Sequence, residues 1–424
     1  MLKGAGQWCA SHSCAGVAHH APRGKAWGRC AVLVDMREID VVVIGAGQAG
    51  LSSAFHLRRT GHEPGAGYVV LDDGDGPGGA WRHRWPSLRI GGAHGVHDLP
   101  GLAFDVGDAS RPASEVVAEY FERYERTFDL PVLRPVEVRA VRDSGERLTV
   151  ATSVGDWSAR AVINATGTWE HPFWPRYPGQ ELFAGRQLHT ADYRGPEEFS
   201  GMHVVVVGGG ISAVEHLAEI SEVASTTWVT RRPPDFGEAE FTPERGREAV
   251  AEVQRRVRAG LPPGSVVSVT GLPPTPAVRA ARERGVLERQ PMFDRVTEHG
   301  VAWRDGRELR ADAILWATGF RPAIRHLAPL QLRGRGGGIE VDGTRAVREP
   351  RLHLVGYGPS ASSVGAGRAG RAAVREINGL LARPQSSTSD NAAAGHRLTA
   401  SRTGSSSSSP TWSVSSTTVP SSSF

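Results

Sequence analysis

"DVVVIGAGQAG", residues 40–50, runs from an apolar β-forming segment straight into a glycine-rich turn, and "LSSAFHLRR" carries it on as a helical pattern to Arg59. A run apolar on both faces reads as a buried parallel strand rather than a half-exposed one. Each glycine of the turn has its own task. Gly45 makes the tight bend, Gly47 lets the backbone approach a pyrophosphate, and Gly50 lets helix and strand pack closely. The helix then aims unpaired N–H groups and a partial positive charge at the space in front of it, which suits phosphate. Asp72 ends the next strand, "YVVLD", about twenty residues on, where a carboxylate can accept from a ribose hydroxyl. These residues predict a dinucleotide site.

Gly-x-Gly-x-x-Gly spacing alone would not support that reading. With 52 glycines in 424 residues, about one match is expected by chance. Gly74-Gly76-Gly79 and Gly365-Gly367-Gly370 match the spacing without both a strand before and a phosphate-facing helix after. A second turn passes the test of context. Gly208, Gly210 and Ala213, with Ser212 inside the turn, follow "HVVVV" and open "ISAVEHLAEI". The strand after it, "TTWVT", ends in Arg231 and Arg232 rather than an acid. A guanidinium can take a 2′-phosphate through paired charge-assisted bonds that a carboxylate would repel, so this site is expected to prefer NADPH to NADH. The plain alternative is a pair of surface arginines in an arginine-rich chain.

Short apolar runs bounded by glycine ("YVVLD", "AVINATG", "AILWATGF") alternate with helical patterns, which predicts an α/β fold with parallel strands covered by helices. The stretch 244–260 reads as an amphipathic helix with an arginine-rich solvent face. Residues 1–35 show no periodicity and are expected to be a disordered or mis-started extension; the Ser/Thr-rich stretch 385–424 is expected to be a disordered tail. The body between divides into a part with the first glycine turn (36–194), a part with the second (195–311) and a closing part (312–384).

Composition excludes several functions. The formal charge of +4 is small and the basic residues are scattered, which argues against nucleic acid. Cys9, Cys14 and Cys30 all precede the body, so no disulfide framework, thiolate metal site or redox cysteine pair is expected within it, and no metal site at all. No apolar run has spanning or secretory length, so the expected location is the cytoplasm and no membrane partner is expected.

Five elements in order resemble the flavin-containing monooxygenase superfamily over about Met36 to Leu381: the paired glycine turns, then four further segments. "GGAW", with Gly79 and Trp81, resembles a family segment that lies beside the flavin. "FAGRQLHTADY" carries Phe183, Gly185, His189 and Tyr193 at the positions of the family fingerprint. "NATG", with Thr166 and Gly167, and "WATGF", with Gly319, resemble the crossovers between FAD and NADPH domains. "LVGYGPSASSVGAGRAGR", with Gly356, resembles the closing segment that contacts FAD. The resemblance implies two Rossmann-like dinucleotide-binding domains, the NADPH domain inserted into the FAD domain. It assigns His189 a structural part and no chemistry.

The chemistry implied is the family's. NADPH reduces FAD, reduced flavin and dioxygen give a C4a-hydroperoxide, and one oxygen passes to a small soft nucleophile, nitrogen or sulfur. The cofactor supplies the reactivity while the protein orients it and keeps water away. Tyr193-Arg194 stands where Baeyer–Villiger relatives usually have Trp-Pro, which favours N- or S-oxygenation over ketone oxidation. The family's active-site Asn falls on Gly91; His94 or His97 could supply a nearby polar group, and His94 is the candidate for a catalytic role. That departure keeps an NADPH oxidase or reductase without substrate oxygenation in view; a redox-sensing nucleotide-binding protein is the non-enzyme alternative. The disulfide reductases, which share the paired turns, relay electrons through cysteines this body lacks.

Overall fold

The computed structural model describes residues 36–93, 96–236, 243–264, 271–272, 275–361 and 363–383. Strand β1 (Arg37–Ile44) lies inside a sheet because both its faces are apolar. Val41 and Val43 turn towards helices α1 (Gln48–Arg59), α2 (Ala113–Thr127) and α6 (Ser363–Leu381), where Leu51, Phe55 and Val374 meet them. Val42 and Ile44 turn the other way. Parallel neighbours flank β1: β2 (Tyr68–Leu71) and then β3 (Val132–Leu133) on one side, β6 (Trp157–Asn164) and then β17 (Glu349–Leu354) on the other. An antiparallel hairpin, β4 (Val138–Asp143) with β5 (Leu148–Thr152), adds to β6 and covers the second face with Val141 and Val150. On the far edge, β15 (Val341–Asp342) and β16 (Arg345–Ala346) add antiparallel to β17.

The second sheet is wholly parallel, in the order β10 (Arg289–Pro291), β9 (Ser225–Thr230), β8 (His203–Val207), β14 (Ala313–Trp316), β7 (Arg186–His189). Its central strand β8 repeats the logic of β1. Val204 and Val206 pack on α3 (Ile211–Ile220) and α5 (Pro276–Glu283), while Val205 and Val207 meet Trp316 and Phe293. A small antiparallel sheet, β11 (Arg295–Thr297), β12 (Gly300–Ala302) and β13 (Glu308–Arg310), covers that second face with Val296 and Val301. The helix expected over 244–260 is α4 (Pro243–Arg258), with Val253 and Val257 buried.

The α/β fold with parallel sheets is therefore as the alternation of runs predicts. The boundaries 195 and 311 do not coincide with the second sheet, because β7 and β14 lie outside them and both pair within it. The physical reason is long-range pairing: β14 hydrogen-bonds to β7 across more than a hundred residues, and β7 is a four-residue strand with little pattern of its own. Among the described residues, no helix is long and apolar enough to cross a membrane, and no group of three or more His, Cys, Asp or Glu could hold a metal. The described tract Gly365–Gly370 belongs to α6, where Gly370 lets the helix close on α1. A Cβ there would lie 2.9 Å from the Ser53 hydroxyl and 3.1 Å from that of Ser52.

Candidate functional site

At the end of β1, Gly45 takes φ +97°, and an added Cβ would lie 2.7 Å from the Ala165 carbonyl oxygen. A Cβ on Gly50 would run into the carbonyl oxygen of Gly45. Gly47 differs from both, with no atom within 4 Å of where its Cβ would be. The first two glycines thus serve packing, and the third faces open space. Gly47 is also the N-cap of α1, offers no side-chain cap, and is followed by a first turn without acids. The helix N–H groups are left for an anion.

That open space is a cavity of about 680 Å³. Of the sequence candidates, Gly45, Gly47, Asp72, Gly79, Trp81, Thr166, Gly167 and Gly356 all line it. A Cβ on Gly79 (φ +50°) would lie 2.9 Å from the Gly47 Cα, so two glycine backbones meet at one point of the wall. The tract Gly74–Gly79, dismissed as a phosphate loop, also borders the cavity. At the end of β2, Asp72 accepts from the Ala46 N–H at 3.0 Å and from the Arg134 Nε–H at 2.6 Å.

The second turn copies the first. Gly208 takes φ +147°, and a Cβ on it would strike the Ala317 carbonyl oxygen as one on Gly45 would approach that of Ala165. Gly210 caps α3, faces open space and precedes a first turn without acids; Ser212 lies in that turn and Ala213 is fully buried. The Trp228 indole N–H donates to the Gly208 carbonyl at 2.6 Å and pins the turn. Arg231 and Arg232 are exposed just beyond β9.

Two Ala-Thr-Gly segments link the sheets. The Thr166 hydroxyl donates to the Ala323 carbonyl (2.6 Å) and the Thr318 hydroxyl to the Phe173 carbonyl (2.5 Å). Each crossover thereby grips the other, and the Pro172–Phe320 bridge adds to the grip. Gly319 lies in the second crossover rather than on the cavity wall. Its carbonyl accepts from the Phe173 N–H (2.9 Å) and the His189 Nε2–H (3.1 Å). His189 accepts at Nδ1 from the Ala191 N–H, which fixes its tautomer, and burial lowers its pKa. Both ring nitrogens of this buried imidazole are thus committed to the backbone.

Where the crossovers meet the cavity stands a cluster that sequence reading missed. Arg84 lies over the rings of Trp81 (5.5 Å) and Trp169 (5.2 Å), and Trp169 stacks on Phe320 at 5.0 Å. Glu219 of α3 accepts from the Trp85 indole (3.3 Å), the Ser87 hydroxyl (2.8 Å) and the Tyr193 hydroxyl (2.9 Å). It therefore ties the segment carrying Trp81 to the helix that begins at the second turn. Burial pushes the neighbouring Glu215 carboxyl up to about 7, with Arg84 opposing the shift.

His216 is fully buried against Trp85 and Tyr193, and neither ring nitrogen has a hydrogen-bond partner among the described residues. Burial, with the positive charge of Arg84 next, lowers its pKa from 6.5 to about 3. The unfolded chain thus binds the proton more tightly, and stability falls as pH drops below about 6.5 towards 3. His216→Leu should raise the melting temperature at pH 8 by removing an unsatisfied polar group, a gain of ~1–3 kcal/mol. At pH 5 the gain should be larger by about 2 kcal/mol, because the unfolded-state proton is also removed. Equal gains at both pH values in thermal melts would contradict this account of His216.

His94 lies outside the described residues. Gly91 does not border the cavity, and a Cβ there would lie 2.9 Å from the Ala109 Cβ and 3.1 Å from its carbonyl oxygen. A larger residue at position 91 therefore has no free room in this loop.

A family model described as pyridine nucleotide-disulphide oxidoreductase matches residues 42–244, a stretch without cysteine. The flavin-containing monooxygenase from Stenotrophomonas maltophilia is 41% identical, with a TM-score of 0.69 over 82% of this chain and 100% of that one. A double mutant of the flavin monooxygenase from the same organism is 42% identical with a TM-score of 0.71, over the same shares. An indole-3-pyruvate monooxygenase, YUCCA8 of Oryza sativa subsp. indica, is 27% identical over 67% of this chain and 76% of its own length. The paired turns, the crossovers and these likenesses agree, and the chain belongs to the flavin-containing monooxygenase superfamily of flavin-dependent enzymes.

Proposed function

We propose that the chain is an FAD- and NADPH-dependent monooxygenase that transfers one oxygen atom from dioxygen to a nitrogen or sulfur of a small molecule. Its architecture would be two Rossmann-like domains. The NADPH domain would be inserted between the crossovers, so that its limits include β7 and β14. The observation that carries the reading is the pair of uncapped, glycine-lined helix N-termini joined by interlocked crossovers.

The residues present fit FAD. Gly47 and Gly79 leave backbone without side chains where a pyrophosphate would lie, and Asp72, on the wall of the same cavity, would meet the ribose. Bound FAD would supply the centre at which reducing equivalents from NADPH meet dioxygen. The N–H groups of α1 would hold the pyrophosphate and those of α3 the coenzyme's. Arg231 and Arg232 would take the 2′-phosphate. Trp81, Trp169 and Phe320 would screen the cavity from water at the crossovers.

Gly91 favours a second reading. The family's polar group is missing there, and Ala109 occupies the direction a side chain would take. An enzyme of this kind would reduce dioxygen to hydrogen peroxide without oxygenating a substrate. Stoichiometry separates the two. Oxygenation consumes one NADPH, one proton and one dioxygen per product and water formed; uncoupled oxidation of the same NADPH gives one hydrogen peroxide. With a tertiary amine or a thioether present, purified protein should form N-oxide or sulfoxide in step with NADPH loss. Peroxide equal to the NADPH consumed, with every such substrate tried, would replace the first reading by the second. No NADPH turnover at all would point to a nucleotide-sensing protein.

A further inference from the structure

Asp72 lines the cavity, but the groups that hold its carboxylate stand behind it. The Arg134 Nε–H donates to Oδ2 at 2.6 Å, and its Nη1 and Nη2 grip the Glu125 carboxylate as a two-pronged pair at 2.9 and 2.7 Å. The three side chains are 10%, 13% and 14% exposed for Asp72, Arg134 and Glu125. Neither Arg134 nor Glu125 borders the cavity. Main-chain bonds bracket the contact: the Asp72 N–H donates to the Leu133 carbonyl at 3.1 Å, and the Val136 N–H to the Asp72 carbonyl at 2.7 Å. Arg134 is thus fixed by its backbone on both sides and by α2 at its far end.

We propose that Arg134, anchored by Glu125, is a positioning residue that holds the Asp72 carboxylate for recognition of the adenosine 2′-hydroxyl of FAD. This rests on the reading of the cavity as the FAD site. Each oxygen of an ionised carboxylate has roughly two acceptor directions. Ala46 N–H takes one on Oδ1 and Arg134 Nε–H one on Oδ2, which leaves one on each oxygen for a hydroxyl from the cavity. A second carboxylate, Asp73, sits alongside and is pushed above its usual range by burial and by the charge of Asp72. Arg134 sets a guanidinium beside this pair of carboxylates and fixes the direction in which Asp72 Oδ2 points. An aspartate without this support would be free to rotate away.

The test uses the full chain stripped of flavin, titrated with FAD and with its analogue lacking the adenosine 2′-hydroxyl, followed by flavin fluorescence. The wild type should bind FAD ~10-fold tighter than the analogue or better, the size of one hydrogen bond to a charged group. Arg134→Met should weaken FAD about 10-fold and the analogue much less, so that the gap closes. A wild type that treats the two ligands alike would mean that Asp72 does not meet the ribose, and the cavity reading itself would fail at that end. A wild type that discriminates while Arg134→Met keeps the same gap, or leaves FAD binding unchanged, overturns the positioning role. Should Arg134→Met lose its circular-dichroism signature of folding, Arg134→Lys serves instead. It keeps the charge but cannot bond Asp72 through Nε while gripping Glu125 with two prongs. Its gap should narrow, and an undiminished gap overturns the proposal.

Discussion

Gly47→Leu should purify as a folded, colourless protein, and Gly50→Ala should lose both flavin and stability. The two glycines lie three residues apart in one turn, yet the space around them differs completely. A Cβ on Gly47 meets nothing within 4 Å, so a leucine there crowds only the cavity in front of α1. It would hold the pyrophosphate away from the helix N–H groups, each charge-assisted bond being worth ~1.5–3 kcal/mol, or about 10- to 100-fold in affinity. The flavin-free Gly47→Leu protein should melt within a few degrees of the wild type and above Gly50→Ala, since φ −74° admits a side chain and leucine forfeits only glycine's N-cap advantage, ~1 kcal/mol or less. A Cβ on Gly50 strikes the Gly45 carbonyl oxygen, which is backbone and tied to β2 through the Gly45 N–H bond to Leu71 at 2.7 Å. Neither atom can give way cheaply. Overpacking of this kind costs ~1–3 kcal/mol or more, a fall of several degrees. Flavin retained by Gly47→Leu would remove the pyrophosphate from this turn, and a Gly50→Ala protein as stable as wild type would mean that the turn is built differently.

The parts of this fold written in short stretches of chain were legible in the sequence. Each βα turn announces itself within about fifteen residues, because a doubly buried strand, a glycine bend and an amphipathic helix must follow one another for the unit to close. The apolar runs that became β1, β2, β8, β9 and β14 lie where their patterns put them. What escaped is what depends on distant partners. β7 is only four residues long, and β14, more than a hundred residues later, holds it in the second sheet. Arg84 acquires its meaning from Trp169, and Arg134 from Asp72 and Glu125, groups that no local pattern connects. Asp72 was readable as an acceptor because it ends a strand after a glycine turn. The arginine behind it was one basic residue among many. Gly91 marks a different limit: the sequence shows a missing polar side chain, but only the packing shows that Ala109 stands in its way.

Arg231→Ala and Arg232→Ala should each raise the Michaelis constant for NADPH about 10- to 100-fold, from the loss of one or more charge-assisted bonds to phosphate, and leave that for NADH within about 2-fold. The expectation begins with the backbone. The Thr230 hydroxyl donates to the Arg232 carbonyl at 2.6 Å, closing the chain into a turn at the end of β9. Trp228, two residues earlier on the same strand, is bonded to Gly208 of the second glycine turn. The two arginines are therefore carried on a strand end locked to the turn whose helix would hold the coenzyme's pyrophosphate. Both are exposed where the chain leaves β9. NADH carries a hydroxyl where NADPH carries a phosphate of nearly two negative charges. Removal of a guanidinium thus costs the one coenzyme and hardly touches the other. Because the arginines face solvent, the preference should also shrink as salt rises, with a screening length of about 8 Å at physiological ionic strength. The double variant should bring the two coenzymes close to parity. Equal losses for NADPH and NADH would place these arginines on a part common to both molecules. No loss for either would leave them a surface pair and reopen the coenzyme preference.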